Sequence, residues 1–381
     1  MSKGGHFLAQ QPKKKTKTWV VVVAVILAVI LLLGALAAWF VVSKMNKINR
    51  ANRGDNQLSA EDIGKYMIEG TTAPTEATTV PTTEATTAPT EETKPDYGKL
   101  GKIVNFLLIG QDARPGEDSK NSDTVLLVSV NKETKKITMI SFLRDSFVVI
   151  PKVYDTYGNE HSGQTKLTLA YAMGYKWGGD LGAMEIMDQV VERNFGAVVD
   201  YNVEINLDAF DAIINAVGYI TADLDEDEAA YMNEKFKDYP DRNFKVGENR
   251  LDGWAAEEYA RMRHSSNADN DYKRTARQRT VVSQVLERVK GMNVMQINAL
   301  VDELLDKVLT DMTNSDITTC ITELLPLLPE MTMDSLQCPN ADMDLSGKLI
   351  DLFKDGSPEQ SIQTFTESKA KAIITAITED D

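Results

Sequence analysis

The chain has 381 residues, 43% of them hydrophobic, with 41 Lys+Arg against 57 Asp+Glu and a net charge of −16. Residues 1–53 hold nine of the basic residues and no acidic one, which leaves −25 on the remainder. A body this acidic is a poor non-specific binder of nucleic acid or anionic lipid. Cys320 and Cys338 make neither a disulfide framework nor a zinc site; outside the cytoplasm they could pair, and two free buried thiols suit the sequence equally.

Residues 1–18 form a basic tail with Lys13, Lys14, Lys15 and Lys17. Trp19 to Val42 is an unbroken uncharged run, long enough to span a hydrocarbon core as a helix. The rival reading is a signal peptide cleaved near Ala35-Leu36-Ala37. The apolar run continues through Trp39, Phe40, Val41 and Val42, too long for an ordinary signal core, which favours an uncleaved anchor. Five basic residues precede the span and Lys44, Lys47, Arg50 and Arg53 follow it, a balance that leans toward a cytoplasmic N-terminus.

Residues 43–96 are a juxtamembrane segment and a stalk. TTAPTEA, TTVPTTEA and TTAPTEE repeat from Thr71 to Glu92 with almost no large apolar residue, so they cannot form a core. Proline and charge keep such a segment extended.

The folded body begins near Asp96. Val104–Ile109, Val125–Val130 and Ile137–Phe142 read as strands, the last two as a hairpin. A turn centred on Glu133 and Thr134 would set Asp123 opposite Arg144, just beyond the strand ends. Asp112, ending the first strand, could join them. Two carboxylates and an arginine on one sheet edge can hold a divalent cation and a phosphate, or can equally be a structural pair closing a hairpin. Lys166–Tyr171 reads as helical. Gly174, Gly178 and Gly179 then suggest a loop, and Asp180 caps a helix carrying Met184 and Met187. Tyr201–Ile205 alternates like a strand, Asn206 caps a helix with Phe210 and Ile213, and Tyr219–Leu224 suggests a further strand. Asp223–Asp241 reads as an acidic surface excursion. The alternation of strands and helices argues for an α/β domain, layered α/β/α around a mixed central sheet.

Asp252–Tyr259 is helical in pattern, and Asp271 is placed to cap a helix bearing Val281, Val282, Val285, Leu286 and Val289. Between and within them lie Arg261, Arg263, Arg274, Arg277 and Gln278. A helix N-terminus with guanidinium forks suits a phosphate or pyrophosphate, while the plain alternative is a solvated basic face paired with acids. Residues 291–381 continue as amphipathic patterns and read as a mainly helical extension. His6, His161 and His264 make no metal cluster or triad.

Six motifs in this order resemble the LytR-CpsA-Psr family of bacterial cell-wall enzymes. They are NFLLIGQDAR (Asn105–Arg114), SDTVLLVSVN (Ser122–Asn131), ISFLRDS (Ile140–Ser146), KLTLAYAMG (from Lys166), LDGWAAEEYARMR (Leu251–Arg263) and DYKRTARQ (Asp271–Gln278). The resemblance covers about 104–289 and implies a catalytic domain over 97–290. It implies a phosphotransferase, anchored at the plasma membrane with its catalytic domain outside, that moves a glycopolymer from an undecaprenyl-pyrophosphate carrier to peptidoglycan with Mg2+ or Mn2+. By matched position, Asp112 and Asp123 would hold the metal, and with Arg144 and Arg261 form the catalytic set. Arg144, Lys166, Arg261, Arg263, Arg274, Arg277 and Gln278 would bind pyrophosphate, supported by Arg114 and Asp271. Met173, Met184, Met187, Ile205, Phe210 and Ile213 are candidates for lining a prenyl pocket, although their spacing alone suits ordinary core. The family usually has arginine where this chain has Asn121, with Lys120 beside it. Alternatives are a non-catalytic wall- or prenyl-pyrophosphate-binding module, or a lipid pyrophosphatase that uses water.

Overall fold

The computed structural model describes residues 49–51, 68–69, 100–111, 120–155, 159–262, 269–304, 307–352 and 358–379. The apolar run Trp19–Val42, the repeats, Asp112, Arg114 and Arg263 lie outside the described residues. Among the described residues no helix is long and apolar enough to cross a membrane.

After the short strands β1 (Asn49–Arg50) and β2 (Ile68–Glu69) come β3 (Ile103–Gln111), β4 (Ser122–Asn131) and β5 (Lys136–Phe142). All three are rich in branched apolar residues that alternate between the two faces of a sheet. The β4–β5 turn is built locally. The Asn131 side chain accepts from the Glu133 and Thr134 amides at 3.0 and 2.9 Å, and Lys135 takes φ 53°. The register pairs Val130 with Ile137 and Val125 with Phe142, so the turn centres on Glu133 and Thr134 as the sequence implies. A second hairpin, β6 (Phe147–Tyr154) and β7 (Glu160–Lys166), has no counterpart in the sequence reading, because EHSGQTK carries no apolar alternation.

Helix α1 (Leu167–Phe195) is interrupted at Gly178 and Gly179. Gly179 sits at φ 66° and ψ −155°, a region only glycine occupies without strain. Gly174 lies inside the helix rather than in a loop, because the chain turns back past it. A Cβ there would meet the Gly182 carbonyl oxygen at 2.5 Å. Next come β8 (Tyr201–Ile205), α2 (Leu207–Ala216, capped by Asn206), β9 (Ile220–Leu224) and α3 (Glu226–Lys235). The stretch read as an acidic excursion therefore holds a helix. Asp225 and Glu228 form a reciprocal capping box, and Ala229 and Met232 are buried on its inner face. The chain continues through β10 (Gly247–Leu251), α4 (Gly253–Arg261), α5 (Asp269–Lys290), α6 (Val294–Leu304) and β11 (Leu309–Thr310). It ends with α7 (Asn314–Leu324), β12 (Thr332–Cys338), β13 (Ser346–Ile350), β14 (Gln360–Thr364) and α8 (Glu367–Thr378).

The central sheet runs β1-β11-β8-β3-β4-β5-β12. It is mixed: β3–β4 and β4–β5 are antiparallel, β3–β8 and β5–β12 parallel. Leu107, Ile109, Val125, Leu127 and Ile140 pack one face onto α1 and α8. Leu126, Val128, Ile137 and Met139 pack the other face against Val282 and Leu286 of α5. Residues 291–381, read as a mainly helical extension, thus supply β11 and β12 to the sheet and α8 to its core. Short strands of mixed polarity such as TMDSLQC give little periodic signal, which is why they read as helix or as nothing. Cys320 and Cys338 are both free thiols, and burial pushes Cys320 up to about 12.

Gly179→Ala should lower unfolding free energy by about 1–3 kcal/mol, since alanine cannot relax into this backbone region. Urea denaturation measures it, and an unchanged midpoint would mean the break in α1 is not held at Gly179.

Candidate active site

The site begins with a register fault. Gly110 pairs with Thr124 and Gln111 with Ser122, so Asp123 has no partner on β3 and bulges from β4. A bulge re-aims its side chain and commonly ends a strand at a functional edge. The adjacent approach is tight: a Cβ on Gly110 would lie 2.8 Å from the Thr124 Cβ. Across the hairpin, Arg144 Nη1 donates to Asp123 Oδ1 at 2.5 Å. The facing of Asp123 and Arg144 expected from the turn is therefore present.

Arg274 reaches the same point from α5. It is 3% exposed, its Nη2 donates to the Asp123 carbonyl at 3.5 Å, and its Nη1 lies 3.9 Å from Asp123 Oδ1. Behind them, Asp145 links two cations: Arg144 Nε is 3.8 Å and Lys166 Nζ 3.2 Å from its carboxylate. Lys166 also lies 3.4 Å from the Gln360 side-chain oxygen, so the strand β14 helps to hold it. Asp145 escaped the sequence reading although it follows Arg144 directly.

Of these groups, Asp123 and Arg274 edge a cavity of about 340 Å³, and Arg144 reaches it through its bond to Asp123. The cavity's polar lining is Gln111, Asp123, Thr124, Asn206, Glu257, Arg261, Arg274 and Gln278. Its apolar lining is Leu108, Leu126, Ile205, Phe210, Ala260 and Val282, with Tyr231. Arg261 Nη1 donates to Glu257 Oε1 at 2.6 Å, and Glu257 is 4% exposed. Glu257 and Tyr231 were not legible as site residues, because nothing in their local sequence separates them from surface acids and aromatics. Lys120 lies toward the α1 side of the sheet, 4.0 Å from Glu204 and over the Tyr175 ring. Burial holds the Glu204 carboxyl above the usual carboxylate range, partly offset by the hydroxyl that Tyr171 donates to it.

Several expectations need correction. Ile205 and Phe210 line the cavity, but Met173 and Met187 belong to the core on the opposite, α1 face, and Met184 is buried on the same helix. The spacing that placed methionines on one helix face is core spacing, and the open space lies on the α5 side. Ile213 is half-buried on α2 and is not among the lining residues. Arg277 turns away from the cavity. It donates to Glu228 at 2.9 Å and to the Met262 carbonyl, at 3% exposure. Arg274 and Gln278 are four apart and share a face, whereas Arg277 points a turn aside toward α3 and α4. Asp271 is not the cap of α5, which already begins at Asp269; polar acidic residues suit any position in a first turn.

An arginine cluster, buried at Arg274 and more open at Arg144 and Arg261, lies by the mouth of a largely apolar cavity on the edge of a mixed α/β/α sheet. The LytR_cpsA_psr family model matches residues 69–367, and the chain belongs to that family. It is 31% identical over 220 residues to the polyisoprenyl-teichoic acid–peptidoglycan teichoic acid transferase TagU of Oceanobacillus iheyensis, covering 58% of this chain and 62% of that protein. It is 32% identical over 215 residues to biofilm regulatory protein A of Streptococcus mutans, covering 53% and 50%. These matches thus span less than two thirds of either relative. In three dimensions it is similar to the crystal structure of TagT from Bacillus subtilis, with TM-score 0.52 and 22% identity over 76% of this chain and 95% of that one. The fold is the same.

Arg277→Ala should strand the buried Glu228 carboxylate and cost about 3–5 kcal/mol of stability. Urea unfolding reads the loss. Binding of a prenyl pyrophosphate to the folded fraction should stay as in wild type, and a selective loss of binding would return Arg277 to the site.

Proposed function

We propose that the protein transfers a glycopolymer from a polyprenyl-pyrophosphate carrier to a hydroxyl of peptidoglycan, at the outer face of the plasma membrane. One observation carries this reading: Asp123, Arg261, Arg274 and Gln278 line the mouth of a largely apolar cavity, and Arg144 is bonded to Asp123 there. The ligand that matches has an anionic head and a long apolar tail. The relatives named as teichoic acid transferases support the same substrate class. Trp19–Val42 is proposed as the anchor and the Thr/Pro repeats as the stalk that holds the domain outside.

The arginines do two things. They fix the pyrophosphate in register, and they neutralise charge that builds as the bond to the carrier's phosphate breaks. Arg144 is itself held at both ends, by Asp123 and by Asp145, so its fork is oriented before ligand arrives. Asp123 is proposed to face the acceptor hydroxyl and take its proton. A divalent cation fits the donor chemistry, since Asp123, Thr124 and the side-chain carbonyl of Gln111 offer hard oxygens at the cavity edge. Asp123, with Asp112 proposed beside it, would hold Mg2+ or Mn2+, which when bound would spread the pyrophosphate's negative charge. Arg263 is proposed as a further pyrophosphate ligand and Arg114 as its support.

The tail matters because the body carries −25 beyond its basic N-terminal segment. Long-range electrostatics oppose an anion here, whereas each buried CH₂ contributes roughly 0.8 kcal/mol. Thermal shift with inorganic pyrophosphate and prenyl pyrophosphates of rising length, at fixed metal and below micelle formation, tests this. Stabilisation should grow with tail length; a shift independent of the tail would remove the lipid carrier. Arg144→Lys keeps charge but loses the fork, so turnover should fall at least tenfold, and chelation or Asp123→Asn should abolish it. Undiminished turnover in chelator would remove the metal from the proposal.

A further inference from the structure

Most described lysines and arginines in this acidic body have a carboxylate within ion-pair distance, for example Lys132 with Glu323 and Arg193 with Glu367. Three that have none among the described residues gather in one place: Lys245, Arg250 and Arg288. The others, Arg279, Lys348 and Lys371, are dispersed over α5, β13 and α8.

Arg250 and Arg288 share one ring. Their guanidinium carbons lie 4.6 and 3.8 Å from the Tyr219 centroid, so they are no more than about 8.5 Å apart. Two like charges this close gain from an anion between or beside them. Tyr219, Lys245 and Arg250 also line a groove of about 620 Å³, separate from the active-site cavity. Asp241, Glu248 and Asp252 line it too, but Asp252 is already bound through both oxygens by Arg242. With Arg288 added, its charged groups sum to one positive, in a body of −25. Beside Arg242, which lines the groove and lies over the Trp254 ring at 5.0 Å, Trp254 and Tyr239 are 37% and 48% exposed, with ring centroids 4.8 Å apart. Exposed aromatic rings beside amides such as Asn243 suit sugar or polyol units.

We propose that this groove is a second binding site, for the phosphodiester backbone of an anionic glycopolymer. This rests on the transfer reading above, because it supplies the polymer that the site would hold. Arg288 lies ten residues along α5 from Gln278, about 15 Å by helix rise. A phosphate chain whose first residue sits at the cavity mouth has its later repeats within reach of Arg288 and Arg250. The site would therefore favour donors carrying a long polymer over donors carrying a short one.

The test is fluorescence polarisation of lipid-free glycerol-phosphate oligomers of one to ten repeats, on the full-length chain and on Arg250→Gln/Arg288→Gln. Affinity should rise with repeat number, weaken with salt, and fall at least tenfold in the double variant. Binding of a short prenyl pyrophosphate should stay equal in both proteins. Equal oligomer binding by variant and wild type would overturn the site. So would oligomer affinity no better than that of inorganic phosphate, or binding to phosphatidylglycerol vesicles with none to oligomers. A failure of transfer to peptidoglycan alongside Arg-dependent oligomer binding would sink the transfer reading and leave this site standing.

Discussion

The contact between Asp123 and Arg144 across the open end of the β4–β5 hairpin sets the rest of the site. It exists because the hairpin turn closes at Glu133 and Thr134, which fixes every pair above it. It is useful because β4 carries one residue too many against β3, so Asp123 leaves the ladder and turns outward. Arg274 then has a carbonyl and a carboxylate to approach from α5, and Asp145 couples Arg144 to Lys166 at the start of α1. Strands, a helix from each face and β14 all bear on one cluster. Shifting the hairpin by one residue would point Asp123 into the core and scatter the arginines.

Charge is arranged in the same economical way. Each arginine at the cavity has an internal carboxylate: Asp123 and Asp145 for Arg144, Asp123 for Arg274, Glu257 for Arg261. Buried cations without partners would be costly, and these partners hold the forks in place before a ligand competes for them. A pyrophosphate at the proposed site would compete with these carboxylates for the same forks, and their charge would oppose it. Apolar burial along Leu108, Leu126, Phe210 and Val282 is then what can favour binding, and that wall lies on the α5 side of the sheet.

The sequence made the hairpin legible to the residue, because turn chemistry and alternating branched side chains are local signals. Asp123 opposite Arg144 followed from counting. The cap Asn206 and the strand Tyr201–Ile205 were equally plain, and the helical pattern from Asp252 was off by one residue at its start, where Asp252 is the cap. What resisted was non-local. Arg277 looks like its neighbours Arg274 and Gln278 until Glu228 arrives from α3 to claim it. The methionines of α1, whose spacing alone suits ordinary core, could be set apart from a groove only once the sheet covers them. Strands such as β7 and β12 are strands only because an existing edge accepts them, so their own sequences carry little pattern. Asp123 bulging from β4 was also invisible, since a bulge is a mismatch between two strands and belongs to neither.

The central claim is that an anionic polymer leaves a prenyl pyrophosphate here and is joined to peptidoglycan. The most direct measurement follows both halves of a doubly labelled donor, prenyl chain and polymer, with the full-length chain, divalent metal and isolated peptidoglycan. The account predicts one prenyl monophosphate released for each polymer bound covalently to the wall. Prenyl monophosphate released with the polymer left free in solution would contradict it and make the protein a hydrolase.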